Sequence, residues 1–274
     1  MEYDPIKRRL GHVFNKFTLT RIVFYKLLDL LLLRTWHIKK ELKKWTEFRK
    51  KSVSLYNKIH ILDAGAGFGQ YSYFLSKINR SWNILSVDVK EEQVCDCNTF
   101  FNKLGKKNVL FKTDDLTTFK ADECFDLILC VDVMEHILED ELVFRNYFAS
   151  IKPGGMLLIS TPSDQGGSDV HEEQDSSFIE EHVRDGYNIK DIETKLRKAG
   201  FSDVEAHYSY GAPGKISWRL SMKYPILALG FSKLFFVILP FYYMIVYPVC
   251  FVLNYIDTLF NWDTGTGLIV KAWK

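Results

Sequence analysis

The stretch Ile61-Leu62-Asp63-Ala64-Gly65-Ala66-Gly67-Phe68-Gly69 decides how this chain reads. The apolar run Ile59 to Leu62 has the look of a β-strand, it breaks into Gly-x-Gly-x-Gly, and Tyr71 to Lys77 opens a helix. Glycines in such a turn permit positive φ and let the backbone approach a bound group closely. The helix N-terminus behind them offers free N–H groups and the positive end of a dipole. A dinucleotide site spaces its glycines Gly-x-Gly-x-x-Gly around a pyrophosphate. Here the third glycine comes one residue early and Asp63 precedes the loop. A carboxylate there repels pyrophosphate and suits a ligand with an ammonium group, which disfavours a nicotinamide dehydrogenase.

On either side of the loop, residues 59–162 alternate strand and helix. Asn83 to Val87, Val109 to Phe111, Phe125 to Val131 and Met156 to Ser160 read as further strands, with helices over roughly 90–104 and Leu138 to Ser150 and a turn at Pro153-Gly154-Gly155. Phe125 to Val131 is apolar throughout, as a strand buried on both faces requires. Ile189 to Ala199 reads as a helix stopped by Gly200, Val204 to Tyr208 as a sixth strand and Leu268 to Trp273 as a last one. Alternation of this kind predicts an α/β fold with a mostly parallel sheet and helices on both faces.

The 274 residues suffice for one large domain with additions, and 47% hydrophobic with 26% charged residues exclude a disordered or collagen-like chain. Net charge is +2, yet residues 1–58 carry a net of +10 and the remainder a net of −8. A basic segment of that kind points to an anionic partner. Five cysteines lack zinc spacing, and their odd count makes a reducing compartment the default. Cys95 and Cys97 fall on a predicted helix, where neighbouring positions point apart. Ile22 to Leu33 contains Lys26 and Asp29 and has no small-residue cleavage site after it, so no signal peptide is expected.

Residues 1–58 are expected to form a basic, amphipathic helical arm, with helix over 6–48. Leu19, Ile22, Val23, Leu27, Leu30 and Leu31 recur at helical spacing, and Trp36 and Trp45 lie among lysines. The arm is either a pair of lid helices on the main domain or a helix on an anionic membrane surface, and both can hold. Tyr224 to Ile256 has one charge, Lys233, in 33 residues. Leu234 to Ile256 is long enough to span a bilayer, but Pro240 and Pro248 interrupt it and should break or kink a helix. A last strand at 268–273 that joins the sheet also forces the chain back to the side it left. The insert, residues 213–264, is therefore expected to be an interfacial or re-entrant hairpin, or a cap over an apolar pocket. The main domain is then 59–212 plus 265–274.

Asp88 ends the second strand, 21 residues beyond Gly67, where a carboxylate accepts from both hydroxyls of a ribose. Thr113-Asp114-Asp115-Leu116 follows the third strand; an acid there can accept from an adenine amino group while Leu116 packs on the ring. With the loop, these residues suit S-adenosylmethionine, whose methionine part carries an ammonium group. Together with Phe125-Asp126-Leu127-Ile128 and Lys152-Pro153-Gly154-Gly155, they make residues 59–162 resemble the class I S-adenosylmethionine-dependent methyltransferases. Cys130-Val131-Asp132-Val133-Met134-Glu135-His136-Ile137 is similar to the pattern of the ubiquinone- and menaquinone-biosynthesis branch. The resemblance implies a Rossmann-like seven-stranded sheet with an antiparallel last strand. It also implies S-adenosylmethionine held by Asp63, Ala64, Gly65, Gly67 and Gln70 at the loop, Asp88 and Val89 at the ribose, Asp114, Asp115 and Leu116 at adenine, and Val131 behind the sulfonium.

Methyl transfer needs positioning and, for an oxygen acceptor, a base. His136 and His182 are the candidates, the latter in the loop Glu181 to Tyr187 that should admit the acceptor. Their structural alternatives are a capping residue and a solvated loop histidine. Asp132, Glu135 and His136 would share one face if helix began there, and could then hold a divalent cation; the preferred reading is that they cap the turn, with no metal. His171 lies in a Ser/Gly-rich loop, Ser163 to Ser177, that reads as a lid. The acceptor is expected to be a hydrophobic small molecule, a lipid, quinone or phenolic polyketide methylated on oxygen or carbon, reached by peripheral contact with the cytoplasmic face of a membrane. A nucleic-acid methyltransferase is disfavoured, because the basic residues alternate with leucines and no base-flipping motif follows the fourth strand. A non-catalytic binding module is the remaining alternative, against which Asp63, Gly65, Gly67 and Asp88 all speak.

Overall fold

The computed structural model describes residues 18–52, 58–166, 183–232 and 234–274. Seven strands form one sheet: β1 (His60–Ala64), β2 (Asn83–Asp88), β3 (Val109–Thr113), β4 (Phe125–Val131), β5 (Ile151–Pro162), β6 (Asp203–Ser209) and β7 (Gly267–Trp273). Their order across the sheet is β3-β2-β1-β4-β5-β7-β6. β1 to β5 run parallel, and β7 lies antiparallel between β5 and β6. This is the Rossmann-like sheet the sequence predicts. β4 is buried along its length, since helices cover both faces. Pro153-Gly154-Gly155 lies inside β5 rather than in a free turn, with Gly154 at φ 72°; a register shift against β4 and the bond from Gly154 N to Lys274 O (2.9 Å) accompany it.

The helices are α1 (Thr18–Leu31), α2 (Leu33–Ser52), α3 (Gln70–Ile78), α4 (Glu91–Lys103), α5 (Asp140–Ser150), α6 (Ile189–Ala199), α7 (Ala212–Trp218), α8 (Tyr224–Phe231) and α9 (Phe235–Leu259). Gly200 stops α6 at φ 117°, as expected, and Asn188 caps its start by accepting from Lys190 N. Cys95 is exposed and Cys97 buried on α4, pointing apart as a helix dictates, and all five cysteines are free.

The basic segment is less of an arm than its composition suggests. Residues 6–17 lie outside the described residues. α2, however, is a core helix: Ile38, Leu42 and Trp45 pack with Ile61, Leu75, Leu127 and Ile269 on one sheet face. Trp45 is buried edge-on against Trp82 and is no interfacial anchor. Several cations of the segment are used internally as well. Arg49 pairs with Asp126, Lys39 with Asp29 and Lys44 with Glu41, while Lys40 caps the Thr258 carbonyl. Helical spacing shows which residues are apolar; it does not show that a sheet takes them.

The insert leaves β6 and returns to β7, neighbours in the sheet, so both of its ends lie on the same side. α7 and α8 are joined by a π-helical turn, Arg219–Lys223, and α9 runs back. Tyr242 and Tyr243 of α9 donate to the carbonyls of Leu220 and Ser221 in that turn, both at 2.7 Å. α9 continues through Pro240 and Pro248. Each proline removes one helical hydrogen bond, and the remaining ladder keeps the helix intact. The root of α9 is fixed by Asp257, which is fully buried and accepts from Tyr210 N (3.1 Å) and Gly214 N (3.0 Å) and pairs with His37 Nε2 of α2 (2.8 Å). Asp257→Ala strands those groups in a buried site. The expected outcome is a loss of about 3 kcal/mol of unfolding free energy in urea titration.

Candidate active site

The glycine loop is built for close approach. Gly65, Gly67 and Gly69 all have positive φ, at 71°, 51° and 76°. A Cβ on Gly65 would lie 2.2 Å from Val133 Cγ2, so the loop packs directly on the end of β4. A Cβ on Gly67 would meet nothing within 4 Å, so the loop opens to space there. Asp88 faces that opening. Its carboxylate accepts from Gly67 N (2.8 Å) and from Lys90 N (2.9 Å), which fixes its orientation. Asp63 sits beneath the loop, 2% exposed, and accepts from the hydroxyl and backbone amide of Ser72 at the start of α3. Burial lifts its carboxyl to about 6 despite those bonds, with Asp88 adding like charge. Asp63 thus joins the loop to its helix. Ala64 is buried, while Val89 is exposed beside Asp88.

The two acids after β3, the expected adenine partners, differ. Asp114 is held by Asp88 O through its amide (3.1 Å) and by Lys112 Nζ (2.6 Å). Asp115 turns back to Thr117, accepting from its amide and hydroxyl at 2.8 Å each. Leu116 points into the core with Phe119 and Phe125, because the turn that exposes the acids reverses the chain there.

At the end of β4, Val131 is followed by Asp132 at φ 51°, a left-handed conformation that a non-glycine residue holds at a cost. The following turn, Met134–His136, is a 3-10 turn. The expected shared helix face of Asp132, Glu135 and His136 is therefore absent, and no group of three His, Cys, Asp or Glu among the described residues could hold a metal ion. Arg34 of α2 instead pairs with Asp132, and its amide donates to the Tyr210 hydroxyl (3.0 Å). Glu135 is 2% exposed and accepts from the Thr161 hydroxyl (3.1 Å). Burial and the neighbouring Asp132 charge raise its carboxyl to about 8. His136 is half-buried in the turn. His182 and His171 lie outside the described residues; Val183, next to His182 in sequence, donates to Glu135 O (3.0 Å). Arg34 and Tyr210 escape any local motif, since Arg34 and Asp132 are 98 residues apart.

α1 closes the site from the loop side. Arg21 Nη2 (2.9 Å) and the Tyr25 hydroxyl both donate to Phe68 O, inside the glycine loop. Gln70 donates to Asp29 (2.8 Å), joining the start of α3 to the end of α1. The lid reading of the arm is the one these contacts describe.

A family model described as a methyltransferase domain matches residues 55–207, more than half of the chain. The protein belongs to the methyltransferase-domain family. Phosphoethanolamine N-methyltransferase 1 of Triticum aestivum is 30% identical over 148 residues, 53% of this chain and 29% of that protein. The ubiquinone biosynthesis O-methyltransferase of Rickettsia felis is 29% identical over 115 residues, 41% of this chain and 46% of that one. The chain thus spans less than half the length of these relatives. Among solved structures, Haemonchus contortus phosphoethanolamine N-methyltransferase 2 in complex with S-adenosyl-L-methionine has a TM-score of 0.58 at 18% identity, covering 85% of this chain and 52% of that one. A Thermotoga maritima S-adenosylmethionine-dependent methyltransferase, possibly a histamine N-methyltransferase, has a TM-score of 0.55 at 13% identity, covering 96% of this chain and 99% of that one. At these identities both neighbours speak to the fold.

Two outcomes test the geometry. Gly65→Ala forces a Cβ into Val133 at positive φ, and is expected to lower the melting temperature and abolish cofactor binding in calorimetry. Glu135 holds its proton in the fold up to about pH 8 but would lose it in the ordinary carboxylate range when unfolded. Stability is therefore lost as pH rises across that window. Glu135→Gln removes the loss, so its melting temperature should gain on wild type between about pH 5 and about pH 9.

Proposed function

We propose that this protein transfers a methyl group from S-adenosylmethionine to an oxygen or carbon of a hydrophobic small molecule, such as a lipid, quinone or phenolic polyketide, at the cytoplasmic face of a membrane. The observation that carries the reaction is the Asp88 carboxylate locked onto the open glycine loop. Bound there, the cofactor supplies a methyl group already activated on a sulfonium. Asp88 receives the ribose hydroxyls, Gly65 and Gly67 let the backbone close on the methionine part, and Asp114 takes the adenine amino group. Ala64, Gln70 and Val89 border the same cradle, and the backbone at Val131 passes behind the sulfonium.

On the acceptor side, Asp132 and Glu135 follow β4 directly, with Arg34 paired to Asp132. Glu135 changes protonation near neutral pH, which suits a base for a phenolic proton; His136 and His182 remain alternative bases. The apolar acceptor is supported by the insert. Over its most apolar 18 residues α9 has a mean hydropathy of 2.2, with 6% of that stretch buried, and its Phe251 packs edge-on against Trp36 of α2 (4.9 Å between ring centroids). A second reading, a nitrogen acceptor of the phosphobase kind, is supported by the wheat relative.

In thermal-shift measurements S-adenosylmethionine should raise the melting temperature and NAD should not. Asp88→Ala should abolish the shift while leaving the apo melting temperature near wild type; unchanged cofactor affinity would remove Asp88 from the site. Lipid and small-molecule extracts from cells with and without the protein, compared by mass spectrometry, should show a product one CH₂ heavier in the organic phase. The same gain confined to a water-soluble phosphobase would favour the second reading.

A further inference from the structure

α1 buries polar side chains alongside Ile22 and Phe24, which pack on the core, and turns a second apolar stripe outward. Its inward face carries polar groups: Arg21 is 2% exposed and Tyr25 1%, and both hold the Phe68 carbonyl of the glycine loop. Arg21 also donates to Cys97 Sγ (2.8 Å) and lies over the Phe100 ring (4.6 Å). The outward face carries Leu19, Val23, Leu27 and Leu30, spaced at three and four residues and 71%, 45%, 43% and 39% exposed. A helix of fourteen residues that turns its leucines outward has left its apolar face for something other than water.

That face is continuous with the insert. Leu30 O accepts from the Tyr247 hydroxyl of α9 (2.8 Å) and from Trp36 Nε1 (3.2 Å). Beyond this junction α9 exposes Phe241, Met244 and Ile245 at 65–76%. The charges between Ala212 and Leu259 are Lys215, Arg219, Lys223, Lys233 and one acid, the buried Asp257. Lys215, Arg219 and Lys223 recur every fourth residue along α7 and the π turn. An apolar surface bordered by cations and lacking exposed acids matches the interface of a bilayer with anionic lipids. Because the insert leaves from β6 and returns to β7, the hairpin enters and leaves the membrane on one side.

We infer that α1 is a membrane-reading clamp on the cofactor loop: a bilayer that takes up its leucine stripe beside the α8–α9 hairpin holds the helix on Phe68 and tightens S-adenosylmethionine binding. The inference rests on the membrane reading above. In water the stripe draws nothing toward the docked position, and release of α1 frees the carbonyl that sets the loop. In lipid the stripe and the Phe68 contacts are satisfied by one and the same position of the helix. Linkage makes the effect reciprocal: the factor by which vesicles tighten the cofactor is the factor by which the cofactor tightens vesicle binding.

The test uses the full chain and vesicles of phosphatidylcholine with about a third phosphatidylglycerol. Cofactor affinity is measured by calorimetry with and without vesicles, and vesicle partition by co-sedimentation with and without S-adenosylmethionine. The expected result is a gain of about fivefold or more in cofactor affinity, mirrored in partition. The triple variant Leu19→Gln/Val23→Gln/Leu27→Gln should keep the vesicle-free affinity, still sediment through its hairpin, and lose the gain. Co-sedimentation of wild type with unchanged cofactor affinity, or a full gain in the triple variant, overturns the clamp alone. No co-sedimentation, including burial of the stripe in a second copy of the chain seen as a dimer by light scattering, overturns the membrane reading and the clamp with it.

Discussion

One buried carboxylate holds three parts of this protein in register. Asp257 lies near the end of α9, yet its partners are His37 on α2 and the backbone amides of Tyr210 and Gly214, just past β6. A buried acid is costly unless its oxygens are all engaged, and here the engagement spans the N-terminal segment, the insert and the edge of the sheet. The Tyr210 hydroxyl accepts the Arg34 amide, and Arg34 reaches Asp132. The position of Arg34 therefore follows from a contact made at the foot of the α8–α9 hairpin.

The sheet imposes the second constraint. β7 is paired on both sides, by β5 and β6, over its whole length. Whatever the insert does in between, its two ends are fixed a strand's width apart. The paired arrangement of α7–α8 and α9, tied by Tyr242 and Tyr243 to the carbonyls of the π turn, is the compact solution to that boundary condition.

Much of the fold was legible because its signals are local. The Gly-x-Gly-x-Gly loop, the strand-helix alternation, the Gly200 stop and the last strand each depend on neighbouring residues, and each appears where the sequence places it. The misread parts depend on distant partners. Trp45 looks like an interfacial anchor until Trp82 and the sheet cover it. The basic composition of residues 1–58 overstates the free charge, since Arg34 and Arg49 are spent on Asp132 and Asp126, outside the segment. A face shared by Asp132, Glu135 and His136, the disfavoured alternative, would need α-helical geometry, which Asp132 at positive φ does not supply. Arg34 could not be found by pattern at all, because an arginine in a lysine-rich helix carries no mark of the acid it will meet.

The extent of α2 has a consequence for what counts as a domain. The segment shared with the methyltransferase-domain family ends at residue 207 and begins at residue 55. It omits α2, whose Ile38 and Leu42 fill the sheet face, and it omits β7, which joins β6 to the rest of the sheet. Excised at those boundaries, the chain would keep the cofactor loop and lose the wall and the strand that make it solid. The heritable module and the cooperative folding unit are different objects here, and the smaller one is borrowed scaffolding unless the flanks come with it.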